Sequence, residues 1–223
     1  MRPMLHYPRR FAQRGFTLVE MAIVLVIIGI LLAGVLKGQE LIENSRVKDA
    51  ANIINGTIAA YNSYIDRYGR LPGDDGPTAA ALTGRGGTWW SVTAAGNNDG
   101  DIDIAATQTF NGGGEQVPFW QHLRASGYIK GNPATGGLNA QPRHSWGGLV
   151  GMTNSAVQGR PAARLLVCMR DVPGKAALAL DRQLDDSVPN TGTLRATQGV
   201  NANPGAEAAA YDEAQVYTVC QDV

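Results

Sequence analysis

The sequence predicts an α+β protein in which one long N-terminal helix, half membrane-like and half amphipathic, packs on an antiparallel β-sheet head. Three observations predict it. Residues 16–36 form an apolar run about as long as a bilayer-crossing helix, for which roughly 20 residues suffice. Val47, Ala51, Ile54, Ile58, Tyr61, Ile65 and Tyr68 then recur at alternating spacings of four and three, a continuous seam on one helix face. After residue 148, short β-prone runs alternate with tight turns, the pattern of an antiparallel sheet. At 223 residues the chain is one membrane segment plus one modest domain able to bury its own core.

Taken in order, residues 1–15 read as a targeting segment, basic through Arg2, Arg9, Arg10 and Arg14 and free of acids. Residues 16–36 carry a single charge, Glu20, and Gly15 stands immediately before them. Ala33-Gly34-Val35 also passes as a weak conventional cleavage site, although Glu20 is out of place in an ordinary signal core. Residues 37–68 continue the helix as its amphipathic part, with Gly38 and Gly56 as places to bend. Gly69 is the expected C-terminal cap, with Pro72 just beyond. The head, residues 69–223, opens with a loop-rich stretch to about residue 114, anchored by Trp89 and Trp90. Residues 115–129 read as a short helix burying Phe119, Trp120 and Leu123, followed by a second loop to Trp146. Strands are expected over 148–152, 163–169, 193–196 and 216–220, with a helix over 175–184 and a turn over 185–192.

The formal charge is zero, but four of the 19 basic residues lie in the leader, leaving 15 against 19 acidic residues and a net charge near −4. That argues against a nucleic-acid partner, which needs a basic face. The leader arginines suit the cytoplasmic side of a membrane. Cys168 and Cys220 lack metal-ligand spacing. Outside the cytoplasm they read as one disulfide, the alternative being two unrelated buried thiols.

For ligand chemistry, Asn97, Asp99, Asp101 and Asp103 alternate oxygen donors along a Gly-bearing loop, as a hard cation such as calcium requires. Ala95 and Ala106 depart from the EF-hand pattern, and Glu115 joins only if the chain folds back. The competing reading is a solvated Asn/Asp/Gly turn. No catalytic constellation stands out. His6 lies in the leader, and His122 and His144 read as surface or capping residues. Gly112-Gly113-Gly114 is not followed by the Lys-Ser/Thr of a phosphate loop.

Gly15-Phe16-Thr17-Leu18-Val19-Glu20, with the basic leader and the apolar helix around it, resembles the processing motif of prepilins, the precursors of type IV pilins and type II secretion pseudopilins. The resemblance covers roughly residues 9–36. It implies cleavage after Gly15 by a prepilin peptidase, N-methylation of Phe16, and assembly with other pilin subunits into a helical filament through an inner-membrane assembly platform. It also implies single-pass insertion in the inner membrane with a periplasmic head. Glu20 would meet the Phe16 amine of a neighbouring subunit. A carboxylate in lipid costs a few kcal/mol and usually marks function, which agrees with that role. Residues 68–75 and 184–186 are also similar to segments of prepilin-like proteins, without naming an activity. No proline lies between Phe16 and Tyr68, whereas major type IV pilins usually carry one there; a minor pilin or pseudopilin fits better. The resemblance to pseudopilins also strengthens the calcium reading. The competing class is a single-pass, membrane-anchored periplasmic binding protein or enzyme.

Overall fold

A computed structural model describes residues 15–223; the leader arginines at 2, 9, 10 and 14 lie outside the described residues. The first element is a single helix, α1, Leu18–Tyr68. The chain divides into two compact units, one ending at Ile42 and the other running from Glu43 to Val223. In the first unit the apolar side chains stand in the open, with Leu18 91%, Ile30 69% and Leu36 67% exposed. Among the described residues α1 alone is long and apolar enough to cross a membrane, and none of its apolar window is buried. Leucine and isoleucine in such numbers are costly to leave in water, so this surface is built for another environment.

In the second unit, α1 from Glu43 onward is built into the head. Its buried stripe runs through Val47, Ala50, Ala51, Ile54, Thr57, Ala60 and Tyr64. The seam expected from hydropathy coincides with it at Val47, Ala51 and Ile54 and then departs from it: Ile58, Tyr61, Ile65 and Tyr68 are only partly buried. The stripe is centred on small residues, which let neighbouring elements approach the helix backbone while the bulky side chains pack at its margins. Thr57 is tolerated there because its hydroxyl donates to the Ile53 carbonyl at 2.7 Å. The helix ends where expected. Gly69 takes a left-handed conformation (φ 64°) and its N–H bonds the Ile65 carbonyl.

The short helix α2, Ala79–Leu82, is followed by 3₁₀ turns at Thr83–Arg85 and Gly87–Ser91. The expectation for the tryptophan pair holds for one member. Trp89 is buried against Tyr64, Tyr68 and His122, whereas Trp90 is 75% exposed. Successive residues of a tight turn point to different sides, so the two rings cannot share a pocket. Helix α3, Gln116–Ala125, buries Phe119, Trp120 and Leu123 completely. It also buries Gln116, whose amide donates to the carbonyls of Thr109 and Met152 and whose Oε1 accepts from the Trp120 indole.

The sheet consists of β1 (Val150–Asn154), β2 (Leu165–Pro173), β3 (Leu194–Gln198) and β4 (Val216–Asp222), all neighbours antiparallel in the order β1-β2-β4-β3. The register shifts between Met169 and Val172, and helix α4, Gly174–Leu184, follows β2 directly. Alternation along β2 divides two cores. Val167 and Met169 join the main core with α1, α3 and α4, while Leu166 and Cys168 face a small cluster with Phe110, Leu149, Val157 and Cys220. Cys168 and Cys220 stand directly opposite each other on β2 and β4 and form a disulfide. The bond reinforces the face with the smaller apolar core. Serine at both positions is expected to lower stability by about 2–4 kcal/mol through lost loop closure. Urea unfolding of the full chain in detergent checks this, and a loss below about 1 kcal/mol would show that the bond is incidental to stability.

Candidate functional site

The candidate site is the start of α1. Residues 15–17 are not helical, and Gly15 and Phe16 are exposed, Phe16 83%. The peptide bond joining them therefore lies in exposed, non-helical backbone just ahead of a helix. Thr17 is the N-cap. Its Oγ1 accepts from the Glu20 N–H at 3.2 Å, and its own N–H donates to Glu20 Oε2 at 2.8 Å. Thr17 Oγ1 also donates to Glu20 Oε2 at 2.9 Å. This reciprocal arrangement is a capping box: two otherwise unpaired backbone donors are satisfied, and the carboxylate sits at the positive end of the helix dipole. Glu20 is thus held in one place at the end of an exposed apolar helix, flanked by Phe16, Met21, Ile23 and Val24.

The loop carrying Asn97, Asp99, Asp101 and Asp103 is brought together only in part. The Asn97 side-chain amide donates to Asp99 Oδ2 at 2.8 Å and to Asp103 Oδ2 at 3.1 Å. Asp101 turns away to accept from the Asn154 amide. Calcium at these oxygens requires the Asn97 amide to rotate, presenting its Oδ1 instead of its nitrogen between two carboxylates. The loop is held from the protein side by two buried acids. Asp74 accepts from the N–H groups of Asp99 and Gly100, and Glu115 accepts from those of Asn97 and Asp103. Glu115 therefore does fold back onto this loop, through its backbone. Burial pushes the Glu115 carboxyl up, opposed by its two backbone hydrogen bonds. Gly96 is required here, since a Cβ at that position would collide with the Asp74 backbone. A second carboxylate group, Asp181, Asp185 and Asp186, also brings its oxygens close together. Asp181 and Asp185 accept backbone N–H bonds from the following turn, which are ordinary structural uses.

Both head histidines are buried rather than superficial, which corrects the expectation from sequence. His122 is fully enclosed; its Nδ1 accepts from the Gly73 N–H at 3.1 Å and its Nε2 lies 3.3 Å from the Ala94 carbonyl. The partners assign the neutral ring with its proton on Nε2. His144 shows the same pattern, with the Trp146 N–H on Nδ1 and the Arg170 carbonyl on Nε2. Both imidazoles clamp loops onto the core. The signal in the sequence is weak: each lies beside a tryptophan in the fold, but only Trp146 is near its histidine in the chain.

Burial pulls the His122 pKa down to about 4. The unfolded chain, with an imidazole pKa near 6.5, binds this proton first. The contribution is complete above about pH 6.5 and is lost as pH falls toward 4, so stability declines across that window by a few kcal/mol. The difference in unfolding free energy between the parent chain and His122→Gln, measured from pH 7 to 4, should shrink as pH falls. A constant difference would show that His122 does not titrate in the fold.

A family model described as the prokaryotic N-terminal methylation motif matches residues 10–36. The chain is similar to the fimbrial protein EcpC of Eikenella corrodens, 38% identical over 89 residues. That alignment covers 39% of this chain and 58% of the relative, so it spans little more than half the relative's length. No solved structure matches the chain.

Proposed function

We infer that this type IV pilin-like chain is a structural subunit of a filament, matured by cleavage after Gly15 and N-methylation of Phe16. The observation that carries the reading is the start of α1. An open Gly15–Phe16 bond precedes a capped helix whose apolar surface is wholly exposed, with one fixed carboxylate at its end. In this reading residues 16–36 first hold the subunit in the inner membrane, with the head in the periplasm. They then become the packing surface for the same segment of other subunits. A prepilin peptidase and an inner-membrane assembly platform are the partners the process needs. The unbroken α1 favours a minor pilin or a type II secretion pseudopilin over a major pilin.

The chemistry assigns Glu20 a charge to meet. Cleavage after Gly15 frees an amine on Phe16, and an amine from a neighbouring subunit neutralises a carboxylate that is costly to leave alone in lipid. The mature N-terminus tests the proposal. Mass spectrometry of the purified protein should find N-methyl-Phe16 as the first residue. An intact Met1, or a start near Val35, would favour a plain membrane anchor for a periplasmic enzyme or binding protein.

A further inference from the structure

The backbone nitrogen of a glycine can attack the side-chain carbonyl of an asparagine or aspartate before it, because glycine has no Cβ to shield that nitrogen. The sequence carries four such steps: Asn55-Gly56, Asp75-Gly76, Asp99-Gly100 and Asn111-Gly112. The fold closes the first three. Gly56 lies inside α1, where its N–H belongs to the helical hydrogen-bond ladder and the backbone cannot swing toward the Asn55 side chain. Asp75 is buried, and Tyr64 and Arg85 hold its carboxylate. The Gly100 N–H donates to Asp74 Oδ2 at 3.0 Å, so its nitrogen is occupied. Asn111-Gly112 differs on each count. It lies in the turn between the 3₁₀ segment Ala106–Gln108 and α3, and Asn111 is exposed. The Gly112 N–H has no hydrogen-bond partner among the described residues. Asn111 Oδ1 accepts from the Gly113 N–H at 2.8 Å, an Asx turn that folds the side-chain amide back along the Gly112 peptide. The same N–H faces the oxygen on which negative charge develops when Cγ is attacked, an arrangement that stabilises an oxyanion.

We propose that Asn111 is a site of spontaneous deamidation in the folded head, with water as the co-reactant. Hydroxide takes the Gly112 N–H proton, and the nitrogen bonds to Asn111 Cγ. The Cγ–Nδ2 bond breaks, and Nδ2 leaves as ammonia with a proton from water, which restores the hydroxide. Water then opens the resulting cyclic imide at either carbonyl, giving aspartate or isoaspartate at position 111. Nothing is oxidised or reduced. The hydrogen bond from Asn111 Nδ2 to the Thr107 carbonyl, 3.1 Å in the intact turn, is lost, and the turn gains a negative charge.

The test incubates the full chain in detergent at mildly alkaline pH, folded and in urea. Peptide mass spectrometry with electron-transfer fragmentation, which separates aspartate from isoaspartate, then follows each step. In the folded chain Asn111 should convert at least about tenfold faster than Asn55, since about 1.4 kcal/mol of local opening free energy already slows a step tenfold. In urea the two Asn-Gly steps should react at similar rates, because the protection of Asn55 comes from the fold. Isoelectric focusing gives a second readout. An acidic form should accumulate with time in the folded parent chain and be reduced to the background of slower sites in Asn111→Gln, whose longer side chain would have to close a six-membered ring. Equal conversion of Asn55 and Asn111 in the folded chain overturns the proposal. So does an Asn111 that stays intact when folded and reacts only in urea, which would show that the turn protects the step.

Discussion

Alanine at Asp75 is expected to destabilise the head by about 1.5–3 kcal/mol, the loss of charge-assisted hydrogen bonds from a buried carboxylate whose arginine partner keeps 25% of its side-chain surface exposed. Asp75 is 3% exposed and joins three elements. It accepts from the Tyr64 hydroxyl of α1 at 2.6 Å and from both terminal nitrogens of Arg85, at 2.6 and 3.0 Å. The guanidinium lies over the rings of Tyr68 and Trp89, 4.7 and 4.8 Å from their centroids. Removing the carboxylate leaves a cation against aromatic faces with no counter-charge and a tyrosine hydroxyl without its acceptor. Tyr64→Phe, which deletes one hydrogen bond and leaves the ion pair, should cost about 1 kcal/mol. Urea unfolding of the full chain in detergent distinguishes the two. Equal, small losses for both variants would mean that the ion pair adds nothing beyond the tyrosine bond.

Glu20→Ala is expected to leave membrane insertion intact and to reduce filament incorporation by about tenfold or more. A desolvated charge pair between subunits is worth on the order of 1.5 kcal/mol or above, and about 1.4 kcal/mol is a factor of ten. Insertion itself should become more favourable, because a carboxylate leaves the apolar segment. Alanine also removes the capping box, worth about 1 kcal/mol of helix stability, so a second variant is needed to separate the roles. Glutamine at position 20 can still make the cap but carries no charge. Sheared-filament yield against membrane-fraction yield reads both. Normal incorporation of Glu20→Gln would show that position 20 acts as a helix cap alone.

The legible parts of the fold were those where local chemistry decides. Gly69 closes α1 because few residues accept its left-handed backbone, and the terminal strand begins at Val216 as the alternation predicts. The sheet's antiparallel pairing followed from turn spacing. The disulfide followed from compartment and cysteine count, and its facing register on β2 and β4 agrees. The buried stripe of α1 was legible at Val47, Ala51 and Ile54 but read a step off beyond them, because hydropathy weighs Ile58 and Ile65 heavily and gives Thr57 and Ala60 little weight, while packing rewards small size at close contacts. His122, Asp74 and Glu115 were missed as structural groups for a related reason. Their value lies in backbone N–H groups brought to them from distant segments, and no local spacing signals that. At the candidate site, Gly15, Phe16 and Glu20 were readable as a motif. That Thr17 orients Glu20 emerges from their mutual hydrogen bonds, although the Thr-x-x-Glu spacing of a capping box was available to find it.

The placement of β4 between β2 and β3 bears on the order of events during synthesis and export. Residues 150–198 supply three strands, but β2 and β3 have no mutual pairing and wait for a partner that emerges later. Cys168 likewise waits for a thiol 52 residues further along. Until residues 216–222 arrive, the edges of β2 and β3 stay exposed to pairing with other chains, and in the proposed reading this holds while the head is delivered across the membrane behind its anchored helix. Completion of the head is a single late event, set by delivery of residues 216–222, and oxidation of Cys220 is its chemical time-stamp.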